Sequence, residues 1–118
     1  MTKMKKEDLP EKLRDAALAV LDERKAENIT LIDLRRKNPL TDYMIIASGS
    51  SSRQLAALAD YLGQAFAKLG HKRTRIEGLP QGDWVLVDAG DVLIHLFRPE
   101  VRSYYDLEEL WDEKKDKA

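Results

Sequence analysis

The chain has 118 residues, of which 43% are hydrophobic and 35% are charged, and its 20 basic and 21 acidic residues leave a formal net charge of −1. This length supplies apolar residues for one core and not for two, so we predict a single domain over residues 1–112. The near-neutral charge gives no strong field toward phosphate backbones, and the absence of cysteine excludes disulfides and thiolate chemistry. Two isolated histidines are a poor start for a zinc site, so we expect no metal and no cofactor.

The hydropathy pattern excludes the common membrane signals. No segment approaches the roughly 20 apolar residues of a membrane span. Residues 1–8 run into charge, whereas a secretory signal would continue into an apolar stretch. We therefore expect a cytoplasmic protein without a membrane partner, ending in a charged, disordered tail over residues 113–118.

The first half of the chain predicts a helix, two strands and a second helix. The first helix should run from about Leu9 to Ala26, because Asp8 and Glu11 form a capping signal ahead of apolar residues at helical spacing. Branched aliphatic residues predict a strand over Ile29–Leu34. The continuously apolar segment Tyr43–Ala47 predicts a strand covered on both faces, which belongs in the middle of a sheet.

The second helix has clear signals at both ends. Ser51, with Gln54 three residues later, predicts its start, and Gly70 predicts its end. Between them lies an apolar stripe at helical spacing: Leu55, Leu58, Ala59, Leu62, Phe66 and Leu69.

The second half predicts three further strands and a helix. A short strand is expected at Thr74–Glu77, and strands Trp84–Asp88 and Asp91–Phe97 flank Ala89-Gly90, a two-residue connection typical of a hairpin. Near the carboxyl end, capping residues Ser103 and Asp106 precede a helix face of Leu107, Leu110 and Trp111.

The order of these elements predicts an α/β (α+β) fold, with a mixed sheet of about five strands flanked by helices. The strand–helix–strand unit in the middle predicts that the second and third strands are parallel, joined by a right-handed crossover.

The segment Ser48–Arg53 is a small-residue turn between a buried strand and a helix, a place where backbone N–H groups could bind a phosphate. However, the Gly-x-x-x-x-Gly-Lys pattern and the further glycines of a dinucleotide fingerprint are missing. The Asp-x-Asp strand that would hold magnesium in a nucleotidyltransferase is also absent. A plain turn with serine caps is therefore favoured.

Asp88, Asp91 and His95 lie close together in sequence and suggest a hydrolytic or metal site, since Asp91 and His95 would share one face of an extended strand. Aspartates beside Ala89-Gly90 are more often turn caps, because they accept hydrogen bonds from turn amides. Between Ile94 and Leu96, His95 is typical of a structural histidine with a single hydrogen bond.

Trp84 shares a strand face with Leu86 and Asp88, while Val85 and Val87 point to the other face. If the valines face the core, the tryptophan side is free to act as an interface anchor. If helices cover that side, Trp84 is simply part of the core. Composition leaves both interpretations open.

Two basic segments, Arg35–Lys37 and Lys72–Arg75, could touch RNA phosphates. They lack interleaved aromatic residues and look like solvated loops. We therefore expect no specific nucleic-acid binding beyond incidental RNA contact.

Three blocks of the sequence together resemble one known family. Residues 41–54 with Ala59-Asp60 form a strand, small-residue turn and helix; residues 77–78 with 84–97 form a hairpin; and residues 102–111 form a carboxyl-terminal segment. In this order they resemble the ribosomal silencing factor (Iojap-like) family, with small departures at Ser48 and Ala89.

This resemblance implies a nucleotidyltransferase-like topology without the catalytic carboxylates and a protein that is not an enzyme. It implies binding to ribosomal protein fourteen at the inter-subunit face of the large ribosomal subunit, steric blocking of subunit joining and repression of translation when nutrients are scarce. Organelle relatives are tied to large-subunit assembly, and a homodimer is expected in the free state.

The site residues that we predict for this partner are an apolar centre and its border: Trp84, Leu86, Asp88, Asp91, Arg102 and Tyr105. The competing hypothesis is a small nucleotidyltransferase-like enzyme or phosphohydrolase that uses the serine-rich turn together with Asp88 and Asp91.

Overall fold

A computed structural model describes residues 9–78 and 82–101 of the chain. Its elements, in chain order, are α1 (Leu9–Glu23), β1 (Glu27–Asp33), β2 (Tyr43–Ser48), α2 (Ser52–Lys68), β3 (Arg75–Glu77), β4 (Trp84–Asp88) and β5 (Val92–Phe97). The predicted mixed sheet of five strands with flanking helices is confirmed. Helix α1 ends three residues before the predicted Ala26, because Lys25 adopts a positive φ of 66° and turns the chain into β1.

The strands form one sheet in the order β1-β2-β5-β4-β3. Strands β2 and β5 are parallel, and the other three neighbouring pairs are antiparallel. It follows that β3 runs in the same direction as β2, as predicted, although β5 and β4 lie between them. Strand β2 is buried along its whole length and lies inside the sheet, as its apolar run predicted.

Both described helices pack on the same face of the sheet. They cover the side chains of Tyr43, Ile45 and Ala47 from β2 and those of Val85 and Val87 from β4. The opposite face holds a smaller buried cluster made of Leu34, Met44, Ile46 and Phe97, against which Trp84 and Leu93 pack partly buried. One face of the sheet is therefore covered by α1 and α2, whereas the other carries only the smaller cluster in the described part of the chain.

The turn of the β4–β5 hairpin lies one residue later than predicted. The amide of Ala89 donates to the carbonyl of Val92 at 3.0 Å, so the chain reverses at Gly90 and Asp91 and not at Ala89-Gly90. The physical reason is that the first turn position has a positive φ of 84°, which glycine adopts without strain. Asp91 is consequently a turn residue outside β5, so the prediction that it shares a strand face with His95 is wrong.

Helix α2 begins and ends as predicted. The amide of Gln54 donates to Oγ of Ser51, the N-cap, at 3.0 Å, and Gly70 follows the helix with a φ of 91°. A side chain at Gly49 would meet Cδ2 of Leu55 at 2.7 Å, so the turn before the helix requires a glycine. Neither helix in the described part of the chain is long and apolar enough to cross a membrane.

Several predictions fall outside the described residues. They are the cap at Asp8, the helix face of Leu107, Leu110 and Trp111, and the tail 113–118. The chain is helical at residues 99–101, where the described part ends.

Candidate functional site

The sheet face opposite α1 and α2 carries the predicted apolar centre. We call it the Trp84 face, and its residues from β4 and β5 are Trp84, Leu86, Asp88, Leu93, His95 and Phe97. Phe97 is buried, whereas Trp84, Leu86 and Asp88 are each partly exposed. Both interpretations of Trp84 thus hold in part, because the indole packs on the second cluster and also contributes to the protein surface.

A surface hollow of about 270 Å³ opens beside the indole of Trp84. Its lining residues are Glu77, Gly78, Trp84, Leu86 and His95. The hollow combines an aromatic ring, an aliphatic side chain, an imidazole and a carboxylate. Such a mixture of apolar area with a few polar groups is typical of a specific binding site.

Trp84 and His95 are joined by a hydrogen bond that the sequence did not predict. Nε1 of the indole donates to Nδ1 of the imidazole at 3.0 Å. The rings of Trp84 and His95 both lie against Phe97, with ring centroids 4.9 and 6.0 Å from it. These contacts hold the two polar aromatic side chains in one fixed arrangement.

His95 is 9% exposed, and this burial lowers its pKa to about 4. Burial disfavours the charged imidazolium because the surrounding groups solvate it poorly compared with water. At neutral pH the ring is therefore neutral. This agrees with the prediction of a structural histidine with one hydrogen bond, since Trp84 is the one hydrogen-bond partner of the imidazole in the described part of the chain.

The backbone of Gly78 packs directly against β4 at Trp84. Gly78 has a φ of 101°, and a Cβ at this position would collide with the carbonyl oxygen of Trp84. A Cβ at Gly82 would likewise collide with the carbonyl oxygen of Gly78. Two glycines thus allow the chain to approach the edge of the hollow at a distance that no side chain permits.

The two predicted aspartates lie at the other end of the hairpin, about 13 Å along β4 from Trp84. The carboxylate of Asp88 accepts a hydrogen bond from the amide of Gly90 at 2.8 Å, so it caps the turn. The carbonyl of Asp91 accepts from the amides of Asp42 and Tyr43 at 2.9 and 3.0 Å and ties the turn to β2.

This end of the sheet is acidic. Burial, followed by the nearby carboxylates of Asp91 and Glu11, raises the pKa of Asp42. Burial and the neighbouring negative charges both disfavour the ionised form of Asp42. Asp42, which the sequence did not single out as a site residue, therefore extends the acidic border that Asp88 and Asp91 begin.

The serine-rich turn uses its own polar groups. Oε1 of Gln54 accepts from the amide of Ser50 at 2.6 Å, and the amide of Gly49 donates to the carbonyl of Phe97 at 2.9 Å. Together with the capped amide of Gln54, these bonds occupy three N–H groups that a phosphate site at this turn would need. The geometry favours the plain turn.

A polar cluster around Tyr43 was also missed from the sequence. The hydroxyl of Tyr43 donates to Glu11 at 3.2 Å and accepts from Arg14 at 3.1 Å. The guanidinium of Arg35 lies 5.4 Å from the ring centroid and pairs with Asp33 at 2.6 Å, which lowers the pKa of Asp33 to about 2. The cluster fastens α1 to the ends of β1 and β2, a structural role that only the tertiary contacts reveal.

The structure brings Trp84 and Leu86 together at the hollow and places Asp88 and Asp91 beside the hairpin turn. Arg102 and Tyr105, the two remaining predicted site residues, lie outside the described residues. His95 and Glu77 join the site through the lining of the hollow. The signal that indicates His95 as a site residue is the pairing of β4 with β5, which places residues 84 and 95 diagonally on one face.

Comparison with known proteins gives a consistent result. A family model described as ribosomal silencing factor during starvation matches residues 6–118. A ribosomal silencing factor from Zymomonas mobilis is 50% identical over 102 residues, covering 86% of this chain and 77% of that protein. The Mus musculus protein named mitochondrial assembly of ribosomal large subunit protein 1 is 37% identical over 100 residues, covering 82% of this chain and 44% of that protein.

The fold leads to the same family. A crystal structure of a protein from Chromobacterium violaceum superimposes with a TM-score of 0.81 at 38% sequence identity, covering 86% of this chain and 84% of that chain. At this identity the likeness extends beyond topology to the sequence itself. The chain belongs to the ribosomal silencing factor family.

Proposed function

We propose that this protein binds the large ribosomal subunit through ribosomal protein fourteen at the inter-subunit face, and that it prevents the small subunit from joining. The observation that carries the proposal is the Trp84 face, where an indole and a leucine line a surface hollow on the side of the sheet opposite both described helices. The names of the relatives support a ribosomal partner, and that of the mouse relative refers to the large subunit.

Trp84 is well suited to be the anchor of such an interface. Tryptophan removes a large area from water with little loss of rotamer freedom, and it is enriched among residues that dominate binding energy. The hydrogen bond to His95 and the contact with Phe97 fix the ring before a partner arrives. Because the anchor is already ordered, little conformational entropy is lost on binding.

Charge supports a basic partner. The carboxylates of Asp42, Asp88 and Asp91 lie at one end of the sheet, and Glu77 lies at the hollow. Ribosomal proteins are mostly basic, and complementary charge at the border of an interface steers encounter and fixes the orientation of the partners. Arg102 and Tyr105 remain predicted members of this border.

The proposed mechanism requires no chemical step. A standard interface covers about 800 Å² on each partner. When this protein occupies an area on the subunit-joining surface, the small subunit cannot occupy the same space. The extent of inhibition then depends on the affinity for the large subunit and on the concentration of the protein.

We also propose that the protein acts in the cytoplasm and that it is a homodimer when free. Residues 1–112 are proposed to form the unit that binds. Sedimentation velocity of the free protein tests the dimer. Deleting residues 113–118 tests the tail, and the shortened protein should bind large subunits as well as the full chain does.

The proposal is tested by cosedimentation of the protein with purified large subunits, small subunits and deproteinised ribosomal RNA. We expect binding to large subunits alone. The Trp84→Ala variant should weaken it by about thirtyfold or more, since tryptophan anchors contribute about 2 kcal/mol or more. Leu40→Ala is the matched control, because Leu40 is 85% exposed on a loop away from the hollow.

Each alternative has its own signature. An enzyme of the competing class requires magnesium-dependent nucleotide binding. A general RNA-binding protein would bind the deproteinised RNA, with an affinity that falls steeply as salt is raised. If folded Trp84→Ala protein binds large subunits as tightly as the unchanged protein does, the assignment of the Trp84 face is wrong.

A further inference from the structure

His95 occupies an unusual position among the polar residues of the Trp84 face. It is 9% exposed, yet its imidazole lines the hollow beside Trp84. The one hydrogen bond that its side chain makes within the described part of the chain is accepted at Nδ1. The other ring nitrogen, Nε2, has no partner there. Nε2 is not among the buried polar atoms that lack a partner, so it is accessible from the hollow and available to a group that enters it.

The tautomer of His95 follows from its neighbour. An indole Nε1–H can only donate, so Nδ1 of His95 must be the unprotonated, accepting nitrogen. A neutral imidazole carries its single proton on the other nitrogen, and burial keeps this ring neutral near pH 7. Nε2 is therefore an N–H donor, held in one orientation by the Trp84 bond and by stacking on Phe97.

The groups that line the hollow indicate which kind of hydrogen-bond acceptor Nε2–H of His95 can bind. Glu77 lines the same hollow, and its carboxylate disfavours a second negative charge there even though Arg75 pairs with it at 3.2 Å. The hollow measures about 270 Å³, whereas one water molecule occupies about 30 Å³ of the liquid, so a peptide group with a small side chain fits. A neutral carbonyl oxygen meets both conditions.

We infer that Nε2–H of His95 donates a hydrogen bond to a neutral carbonyl oxygen of the ribosomal protein that binds the Trp84 face. The inference rests on the proposed function and adds a recognition contact to it. Trp84 then has two roles, since its ring supplies apolar area and its N–H fixes the tautomer that offers the donor. The N–H donor makes the hollow selective for a carbonyl oxygen at one position. A hollow with apolar walls alone would accept any apolar group of the right size.

The test compares three variants in the cosedimentation assay with large subunits. His95→Phe keeps an aromatic ring but offers no donor, and we expect its affinity to fall by about tenfold, because the partner's carbonyl loses its hydrogen bond on burial. His95→Gln keeps an N–H₂ group near the position of Nε2 and should retain most of the affinity. His71→Gln changes the other histidine, which does not line the hollow, and should bind as the unchanged protein does.

A measurement on the free protein covers the case in which His95→Phe fails to fold. Nitrogen-15 NMR of the unchanged protein should show His95 protonated at Nε2 and unprotonated at Nδ1. The opposite tautomer overturns the inference. Equal binding by folded His95→Phe also overturns it, as does binding by His95→Gln that is no better than that of His95→Phe.

The assay separates this inference from the proposed function. If Trp84→Ala loses binding while folded His95→Phe retains it, the Trp84 face is the interface and the carbonyl contact is absent. If both variants bind normally, both the proposed interface and the contact are wrong.

Discussion

The indole N–H of Trp84 on β4 donates a hydrogen bond to Nδ1 of His95 on β5 at 3.0 Å. The ladder pairs Trp84 with Phe97 and Leu86 with His95, so the two bonded residues are diagonal neighbours on one face. This bond connects the apolar anchor of the proposed interface to a polar group in the same hollow. The burial of His95 on this face also links the stability of the fold to pH.

We predict that the protein loses stability as pH falls from about 6.5 toward 4. The folded-state pKa of His95 is lowered to about 4 by burial, compared with 6.5 for an unperturbed histidine. The unfolded chain therefore binds a proton first, and acidification favours unfolding. The stabilisation is complete above pH 6.5, and linkage gives a free energy of unfolding about 2 kcal/mol smaller at pH 5 than at pH 7.5.

Urea unfolding of the unchanged protein and of His95→Gln at these two pH values checks this prediction. The glutamine variant should lose most of the difference, because it has no proton to bind in this range. Asp33, whose pKa is lowered to about 2, does not interfere with this test. The stability that its ionised form contributes is lost only as pH falls from about 4 toward 2. Equal pH dependence of the two proteins would contradict the burial of a neutral His95.

Glycine-to-alanine changes at two positions should have opposite effects. Gly78→Ala should destabilise the protein by about 2 kcal/mol or more, because Gly78 has a φ of 101° and its new Cβ would collide with the carbonyl oxygen of Trp84. Gly63→Ala, in α2 with nothing within 4 Å, should stabilise it by about 0.5–1 kcal/mol. Chemical denaturation measures both, and a neutral Gly78→Ala would disprove the close approach.

Removing the acidic border should slow association with large subunits. The double change of Asp88→Asn and Asp91→Asn removes two charges, and asparagine at position 88 can still accept from the amide of Gly90. We expect a severalfold lower association rate at low salt and a weaker dependence on salt. Asp60→Asn, on the exposed surface of α2, is the control. An unchanged rate in the double variant would show that these acids lie outside the interface.

The cap of α2 should contribute measurably to stability. Ser51→Ala removes the oxygen that accepts from the amide of Gln54, which should cost about 1 kcal/mol. Ser52→Ala removes a hydroxyl whose contact with Asp83 is exposed and long, at 3.4 Å, and should cost much less. Thermal unfolding of the pair tests the cap, and equal midpoints for the two variants would rule it out.

Local patterns predicted the elements of the fold well, because their signals lie within a few residues. Ser51 with Gln54 marked the start of α2, and the unbroken apolar run of β2 marked an interior strand. The hairpin turn was misplaced by one residue, since Ala89-Gly90 and Gly90-Asp91 are both plausible pairs and only the backbone shows which position has a positive φ.

The site was harder to predict because it depends on contacts across the sheet. Trp84 and Leu86 were found from strand alternation alone. Both the predicted and the observed hairpin register place Trp84 and His95 as neighbours on one face, but the bond between their rings depends on side-chain positions that the sequence does not give. The contribution of Asp42 to the acidic border arises from its closeness to Asp91 in the folded chain, although the two residues are 49 positions apart in the sequence.

The central claim is that this protein prevents subunit joining by occupying the large subunit. The most direct measurement is the association of purified small and large subunits, followed by light scattering while the protein is titrated. We predict that association falls in proportion to the fraction of large subunits occupied, and that Trp84→Ala requires a correspondingly higher concentration for the same effect. Full association of the subunits at saturating protein would contradict the account.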